Sequence, residues 1–350
     1  MRYPVDLKEG GCIGFPAPSF GCAIEPYYSA FRNSLEKWKG LGYTPVPGPN
    51  SYAMNGVGIS NTPEKCAEEF MQMYLSEEYD VLISCGGGEL MCEILDFVDF
   101  ETIKRATPKW FMGYSDNTNL TYLLATLSDV ASIYGPCAAA FGMEPWHKAI
   151  KDAYELLTGK KCVMSGYDLW EKESLKDEEH PLVPYNVTEP VRYKIFDGKK
   201  FYEDADMCHD TIELQGRLLG GCVDCLVNIL GTKYDKTTEF AEKYKNDGIL
   251  WFLEACDLNT LSIRRAMWQM VHADWFKNVK GFLIGRPRNG EPVMGLDAYE
   301  AVVSMLGEYK VPIIFDVDIG HMAPMMPLVV GSMAKASVKN NELELSMEYK

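Results

Sequence analysis

The sequence predicts an α/β protein built from two domains, and three observations carry that prediction. The chain has 350 residues, more than one hydrophobic core usually serves, since single cores rarely keep growing beyond about 250–300 residues. Its N-terminal part alternates short apolar strands with amphipathic helices, the pattern of a parallel sheet covered on both faces. A stretch from about Gly159 to Asp210, rich in Lys, Glu, Asp, Pro and Tyr and lacking hydrophobic period, then separates this part from a second α/β region. The expected division is a nucleophile-bearing α/β domain over 1–158, a connecting segment with a long loop over 159–210, and a C-terminal β/α domain over 211–350, with a cleft between the domains.

The elements follow in order. Cys12-Ile-Gly-Phe15 reads as the first strand. Behind Pro26, residues Tyr28, Phe31, Leu35 and Trp38 recur at helical spacing and stop at Gly40, where a left-handed cap is expected. Thr62-Pro63-Glu64 starts a helix, with Thr62 as cap and Pro63 at the first helical position. That helix carries Cys66, Phe70 and Met73 inward and leads to the strand Val81–Ser84. A glycine turn, Gly86 to Gly88, opens a helix through Leu90, Ile94 and Phe97. Trp110-Phe-Met-Gly113 is a strand, followed by a sharp turn and a helix containing Leu120, Leu123, Leu124 and Leu127. In the second region, Ile249–Leu253, Val279–Ile284 and Val311–Phe315 are the clearest strands. The tail Leu343-Glu-Leu-Ser-Met347 alternates as an edge strand would.

Composition narrows the function classes. With 47% hydrophobic and 24% charged residues, the chain has ample material for packed cores. A formal charge of −16 and the absence of any Lys/Arg run argue against nucleic-acid binding. No stretch reaches the roughly 18 apolar residues of a membrane span. Met1-Arg2-Tyr3-Pro4 does not begin a secretory signal, and eleven scattered cysteines fit reduced thiols, so a cytoplasmic protein is expected. Cys222 and Cys225 form a C-x-x-C, but its context looks helical and no second pair or nearby histidine completes a zinc site. No metal and no cofactor are expected.

The sharpest chemical signal is Gly113-Tyr-Ser115-Asp116-Asn117, where a strand ends and a helix begins. Such a turn holds a hydroxyl out of the fold, while the helix N-terminus offers backbone N–H groups to a developing oxyanion. Ser-Asp-Asn is equally good capping chemistry, so the local sequence leaves a helix cap and a nucleophile both open. Of five histidines, His147, His180, His209 and His272 read as surface or packing residues. His321 follows a strand end in Asp316-Val-Asp-Ile-Gly-His321, where open α/β sheets place their sites. A base of this kind needs a carboxylate to fix its tautomer. Glu254, ending the apolar strand Ile249–Leu253, is one candidate, and Asp316 and Asp318 compete by proximity. The Gly86-Gly87-Gly88 turn matches neither a dinucleotide fingerprint nor a P-loop, and suits close backbone approach to a ligand oxygen or a plain tight turn.

These pieces, in this order, resemble the LD-carboxypeptidase and microcin-immunity family of serine peptidases. The residues that carry the resemblance are Gly87-Gly88, Gly113-Tyr-Ser115-Asp116, Glu254 and Gly320-His321, joined by Pro18-Ser19, Gly216-Arg217 to Gly220-Gly221, Gly231-Thr232 and Pro327 to Gly331. The resemblance therefore spans nearly the whole chain. It implies Ser115 as nucleophile, His321 as general base, Glu254 as its orienter, and the backbone N–H groups of Gly88 and Asp116 as oxyanion hole. It further implies a flavodoxin-like N-terminal domain, a swivelling C-terminal β/α domain, a homodimer and no metal. Murein-recycling members look like Arg-Gly-Gly-Tyr-Gly at the glycine turn, whereas this chain has Cys85-Gly-Gly-Gly88-Glu89. Its long loop is similar to that of the microcin-immunity-like branch, where a loop aromatic stacks on a nucleotide base. Trp170 is the candidate for that role and Gly87 for a second substrate contact, with solvent shielding the other reading of the tryptophan.

The expected reaction is hydrolysis of a small peptide-like amide through an acyl-enzyme. The substrate is either the terminal D-Ala of a murein tetrapeptide or a microcin-type aminoacyl-nucleotide. Two alternatives stand beside it: a cysteine amidotransferase using Cys85, which also follows a strand and precedes glycines, and a non-catalytic peptide- or nucleotide-binding protein.

Overall fold

The computed structural model describes residues 1–349. Its contacts separate two compact units, Met1–Lys161 with Glu173–Asn186, and Cys162–Lys172 with the chain from Val187 onward.

The first unit is a run of strand–turn–helix repeats. Its strands are β1 (Cys12–Phe15), β2 (Thr44–Pro47), β3 (Val81–Ile83), β4 (Trp110–Gly113) and β5 (Ser132–Tyr134). They run parallel in the order β2-β1-β3-β4-β5. This is the flavodoxin-like winding, in which ligands gather beyond the carboxyl ends of the strands near the β1/β3 switch point. The intervening helices are α1 (Tyr27–Gly40), α2 (Pro63–Leu75), α3 (Phe100–Arg105), α4 (Thr118–Ser128) and α5 (Lys148–Leu157). Residues of β3 and β4 are buried on both faces, as a covered parallel sheet requires.

Local signals place these elements with three adjustments. Helix α1 continues through Gly40, Leu41 caps it in the right-handed region, and the left-handed residue is Gly42 at φ +90°. Pro63 opens α2 as expected, yet Thr62 makes no side-chain capping bond, so proline geometry and the burial of Cys66, Phe70 and Met73 define that start. After the glycine turn the chain forms a 3₁₀ segment, Met91–Phe97, rather than an α-helix. Its first N–H groups answer to the tertiary structure: Met91 N–H donates to the Asp116 carboxylate at 2.9 Å.

The 159–210 stretch is more ordered than its composition suggests. It holds β6 (Val163–Ser165), β7 (Leu169–Glu171), β8 (Val187–Pro190), β9 (Lys194–Phe196) and β10 (Phe201–Tyr202), and beyond Lys161 only Glu173–Asn186 belongs to the first unit. The second unit continues with β11 (Ile212–Cys222), α6 (Val223–Ile229), α7 (Thr237–Lys243), β12 (Ile249–Glu254), α8 (Thr260–His272), β13 (Val279–Gly285), α9 (Ala298–Leu306), β14 (Ile313–Val317), β15 (Leu328–Val330), β16 (Met333–Lys339) and β17 (Glu342–Glu348). A mixed sheet runs β10-β9-β14-β13-β12-β11-β16-β17-β6, with β11 to β14 parallel at its centre. The tail strand β17 is not an edge, because β6 from the connecting stretch pairs with it at Leu345 and Met164. No helix among the described residues is long and apolar enough to cross a membrane.

Candidate active site

In the first unit the loops at the carboxyl ends of β1, β3 and β4 converge on Ser115. The residue sits at φ 62°, in the left-handed region that a side chain with a Cβ rarely adopts and that costs about 1–3 kcal/mol. It heads a single 3₁₀ turn, Ser115–Asn117, that runs into α4. The cap position of α4 falls on Asn117, not on Ser115, so capping does not account for the serine. Its backbone N–H donates to the Tyr134 hydroxyl at 3.2 Å. Gly113 is required one residue before Tyr114, since a Cβ there would lie 2.7 Å from Asn117 Cγ.

The glycine turn is fitted against this elbow. Asn117 Nδ2 donates to the carbonyls of Gly86, at 2.9 Å, and Tyr114, at 3.0 Å, so one amide ties the two loops together. A Cβ on Gly87 would come within 3.2 Å of Ser115 Oγ, and one on Gly88 within 2.2 Å of Ser19 Oγ and 2.8 Å of the Gly58 carbonyl. Asp116 is buried beneath. Its Oδ2 accepts from Ser19 Oγ at 2.6 Å and from Met91 N–H at 2.9 Å, and its Oδ1 from Asn119 at 3.1 Å. Burial pushes its carboxyl up to about 6, against the downward pull of these hydrogen bonds. The sequence offers Ser19 only as part of the resemblance and Asn117 only as capping chemistry; their roles in holding Asp116 and the glycine turn come from the fold.

The second unit brings Glu254 and His321 together. Glu254 is the last residue of β12, and its carboxylate is sealed from solvent. His321 Nδ1 lies 2.8 Å from Glu254 Oε2. The loop after β14 can approach this closely because Gly320 adopts φ +94° and a Cβ on it would sit 2.4 Å from Glu254 Oε2. Gly285, at the end of β13, makes room from the other side, where a Cβ would meet the Ile319 carbonyl at 2.3 Å. Burial alone lowers the affinity of the imidazole for a proton, but the Glu254 carboxylate and the Cys256 side chain outweigh it and raise the pKa well above the ordinary histidine value.

The competing residues are occupied elsewhere. Asp316 accepts from the Tyr299 hydroxyl at 2.9 Å, and Asp318 pairs with Arg286 while accepting from Tyr167 N–H at 2.9 Å. His147 caps α5 through Ala149 N–H, His180 contacts Asp177, and His272 stacks on Trp268. Cys85, the alternative nucleophile, is completely buried, and burial drives its thiol well above the usual range, so it offers no accessible thiolate. Trp170 lies half-buried on β7, with the Arg286 guanidinium 5.4 Å from its ring centroid.

One sequence expectation is overturned here. The C-x-x-C was read as lacking a histidine nearby, yet Cys222 is the register partner of Glu254 across β11 and β12. Ligand atoms of Cys222, Glu254 and His321 all lie within 4.8 Å of one another. Strand adjacency produces this grouping, and sequence spacing does not reveal it.

Comparison with known proteins identifies the family. Residues 13–135 match the LD-carboxypeptidase N-terminal domain and residues 215–336 the LD-carboxypeptidase C-terminal domain. The chain is 24% identical to the microcin C7 self-immunity protein MccF of Escherichia coli, over 98% of this chain and 95% of that protein. Its fold matches the crystal structure of an MccF-like protein from Bacillus anthracis with a TM-score of 0.82 at 19% identity, covering 99% of both chains. It also matches MccF in complex with aspartyl sulfamoyl adenosine, with a TM-score of 0.77 at 20% identity, covering 99% of this chain and 98% of that one. With both halves of the family's domain pair matched in order, the chain belongs to the MccF-like LD-carboxypeptidase family and is a serine-type peptidase.

Proposed function

We propose that the protein hydrolyses a small peptide-like amide, with Ser115 as nucleophile, His321 as general base and Glu254 as the carboxylate that orients it. The observation that carries this reading is the left-handed backbone of Ser115, with Gly87 backed against its hydroxyl. A non-glycine residue held in that region at a strand-to-helix turn is the geometry of a nucleophile elbow. In the forward step His321 takes the Ser115 proton, the oxygen adds to the carbonyl, and the backbone N–H groups of Gly88 and Asp116 hold the oxyanion. The imidazolium then protonates the leaving amine. Water, deprotonated by the same imidazole, releases the acyl group and regenerates Ser115.

The favoured substrate is an aminoacyl-nucleotide of the microcin type, with Trp170 as a platform for its base. Support comes from the tryptophan's half-buried position beside Arg286 and from the ligand of the MccF relative. Removal of the terminal D-Ala of a murein tetrapeptide is the second reading, favoured by the carboxypeptidase character of the family. A cytoplasmic homodimer with no nucleic-acid or membrane partner completes the proposal; the charge of −16 and the lack of a membrane-spanning helix among the described residues are in keeping with it.

The test is a parallel assay on aspartyl-sulfamoyl adenosine and on murein tetrapeptide, with wild type and Ser115→Ala. Release of aspartate selects the first substrate class and release of D-Ala the second. Ser115→Ala is expected to lower turnover by about 10⁴-fold or more while the protein remains folded. Undiminished hydrolysis by this variant sinks the mechanism, and binding without cleavage by wild type would make the chain a binding protein.

A further inference from the structure

Beside the proposed base, the end of β11 presents a thiol for which hydrolysis has no use. Cys222 and Glu254 face each other as register partners at the carboxyl ends of adjacent parallel strands, and each is only 2% exposed. His321, on the loop after β14, closes the third side with its imidazole already 2.8 Å from the carboxylate. The three donors are a sulfur, a carboxylate oxygen and an imidazole nitrogen, all within 4.8 Å of one another. A tetrahedral ion with bonds of about 2.0–2.3 Å spaces its ligand atoms roughly 3.3–3.8 Å apart. Closing the widest of these separations by about 1 Å and opening the 2.8 Å imidazole–carboxylate contact by about 0.5 Å brings this set around one ion, with the fourth position left for water. Sulfur and imidazole donors together select a thiophilic cation over magnesium or calcium.

We propose that Cys222, Glu254 and His321 form a binding site for a thiophilic divalent cation of the zinc type, and that filling it blocks hydrolysis. On binding, the Cys222 S–H and His321 Nδ1–H bonds break, the imidazole keeps one proton on Nε2, the remaining protons pass to solvent, and metal–sulfur and metal–nitrogen bonds form as waters leave the hydrated ion. The ion takes the same carboxylate and imidazole that otherwise hydrogen-bond each other, so proton transfer through His321 and metal occupancy exclude one another. Metal binding stands on the geometry of the second unit alone; inhibition rests on the proposed role of His321. Cys256, whose side chain also hydrogen-bonds to the His321 ring, lies outside the three-residue set and serves as the control.

The experiment adds cobalt(II) to the purified full-length protein and records the near-ultraviolet thiolate-to-metal absorption at one equivalent. Wild type and Cys256→Ser are expected to show the band and Cys222→Ser to lose it. Zinc is expected to inhibit wild type reversibly by chelator, and Cys222→Ser should require roughly tenfold more zinc or greater, each variant being compared with its own uninhibited rate. Absence of the band in wild type, or its retention in Cys222→Ser, overturns the metal site without reference to any variant's activity. A band without zinc inhibition in an active enzyme overturns the blocking step. Loss of all hydrolytic activity in wild type would instead refute the proposed function and leave the metal result standing.

Discussion

The two units prepare their functional residues by different physical means. In the first, position is set by backbone geometry: a left-handed Ser115, glycines at 88 and 113 where a Cβ would collide, Gly87 where one would crowd the serine, and one asparagine amide spanning two loops. In the second, it is set by side-chain electrostatics, with a desolvated carboxylate at a strand end and an imidazole whose charged form that carboxylate favours. The first unit thus fixes where an oxygen points, and the second how readily a nitrogen holds a proton. Damage to the two should read out differently, as altered geometry or stability in one and as a displaced pH profile in the other.

Among variants that keep Ser115, the largest effect is expected from Glu254→Gln, which removes the charge while keeping the shape. Turnover should fall by about 10³–10⁴-fold, and the rise of kcat/KM with pH should move to lower pH, because the imidazolium loses the carboxylate that stabilises it. A fall without any displacement of the profile would show that Glu254 is not the partner that governs the base. Next comes Gly87→Ala, whose new methyl carbon would lie 3.2 Å from Ser115 Oγ. Turnover should drop by roughly 10²-fold from misplacement, with the pH profile unchanged.

Asp116→Asn probes stability. The carboxyl keeps its proton up to about pH 6 when folded but releases it near 3.9 when unfolded. Between those values the native state binds more protons, so the group's contribution to stability falls as pH rises from about 4 to about 6. The variant should abolish that slope, measured by denaturant unfolding at several pH values. It should also lose about 1–3 kcal/mol, because its amide places a donor against Ser19 or Met91 N–H. The smallest change in stability is expected from Ser115→Gly, which should stabilise the protein by about 1 kcal/mol although it removes turnover, since glycine occupies φ 62° without strain. A destabilised Ser115→Gly would mean that the elbow is not strained, and the comparison between the units would lose its basis.

Much of this site was legible because strand ends are visible in sequence. The apolar runs before Ser115 and Glu254 and the Gly-His after β14 marked three carboxyl-terminal strand ends, and the structure puts the proposed site residues at those ends. Short strands such as β7 and β9 were hidden, since three residues carry too little period to separate them from loop. The inner placement of β17 was equally hidden, because its alternation reports one covered face and says nothing of the neighbour that pairs along its edge. Cys222 escaped for a related reason. Its relation to His321 depends on which strands lie side by side, a choice made by long-range packing.

The Asn117 amide has a consequence for the working life of the molecule. While its nitrogen holds the Gly86 and Tyr114 carbonyls, its own Oδ1 is buried with no hydrogen-bond partner, so the amide is tolerated for its nitrogen alone. Spontaneous deamidation there would exchange that nitrogen for a second oxygen and set a negative charge against two carbonyls. A chemical change at that one atom would unfasten the serine elbow and the glycine turn together and misalign the proposed nucleophile, with the core of the unit untouched.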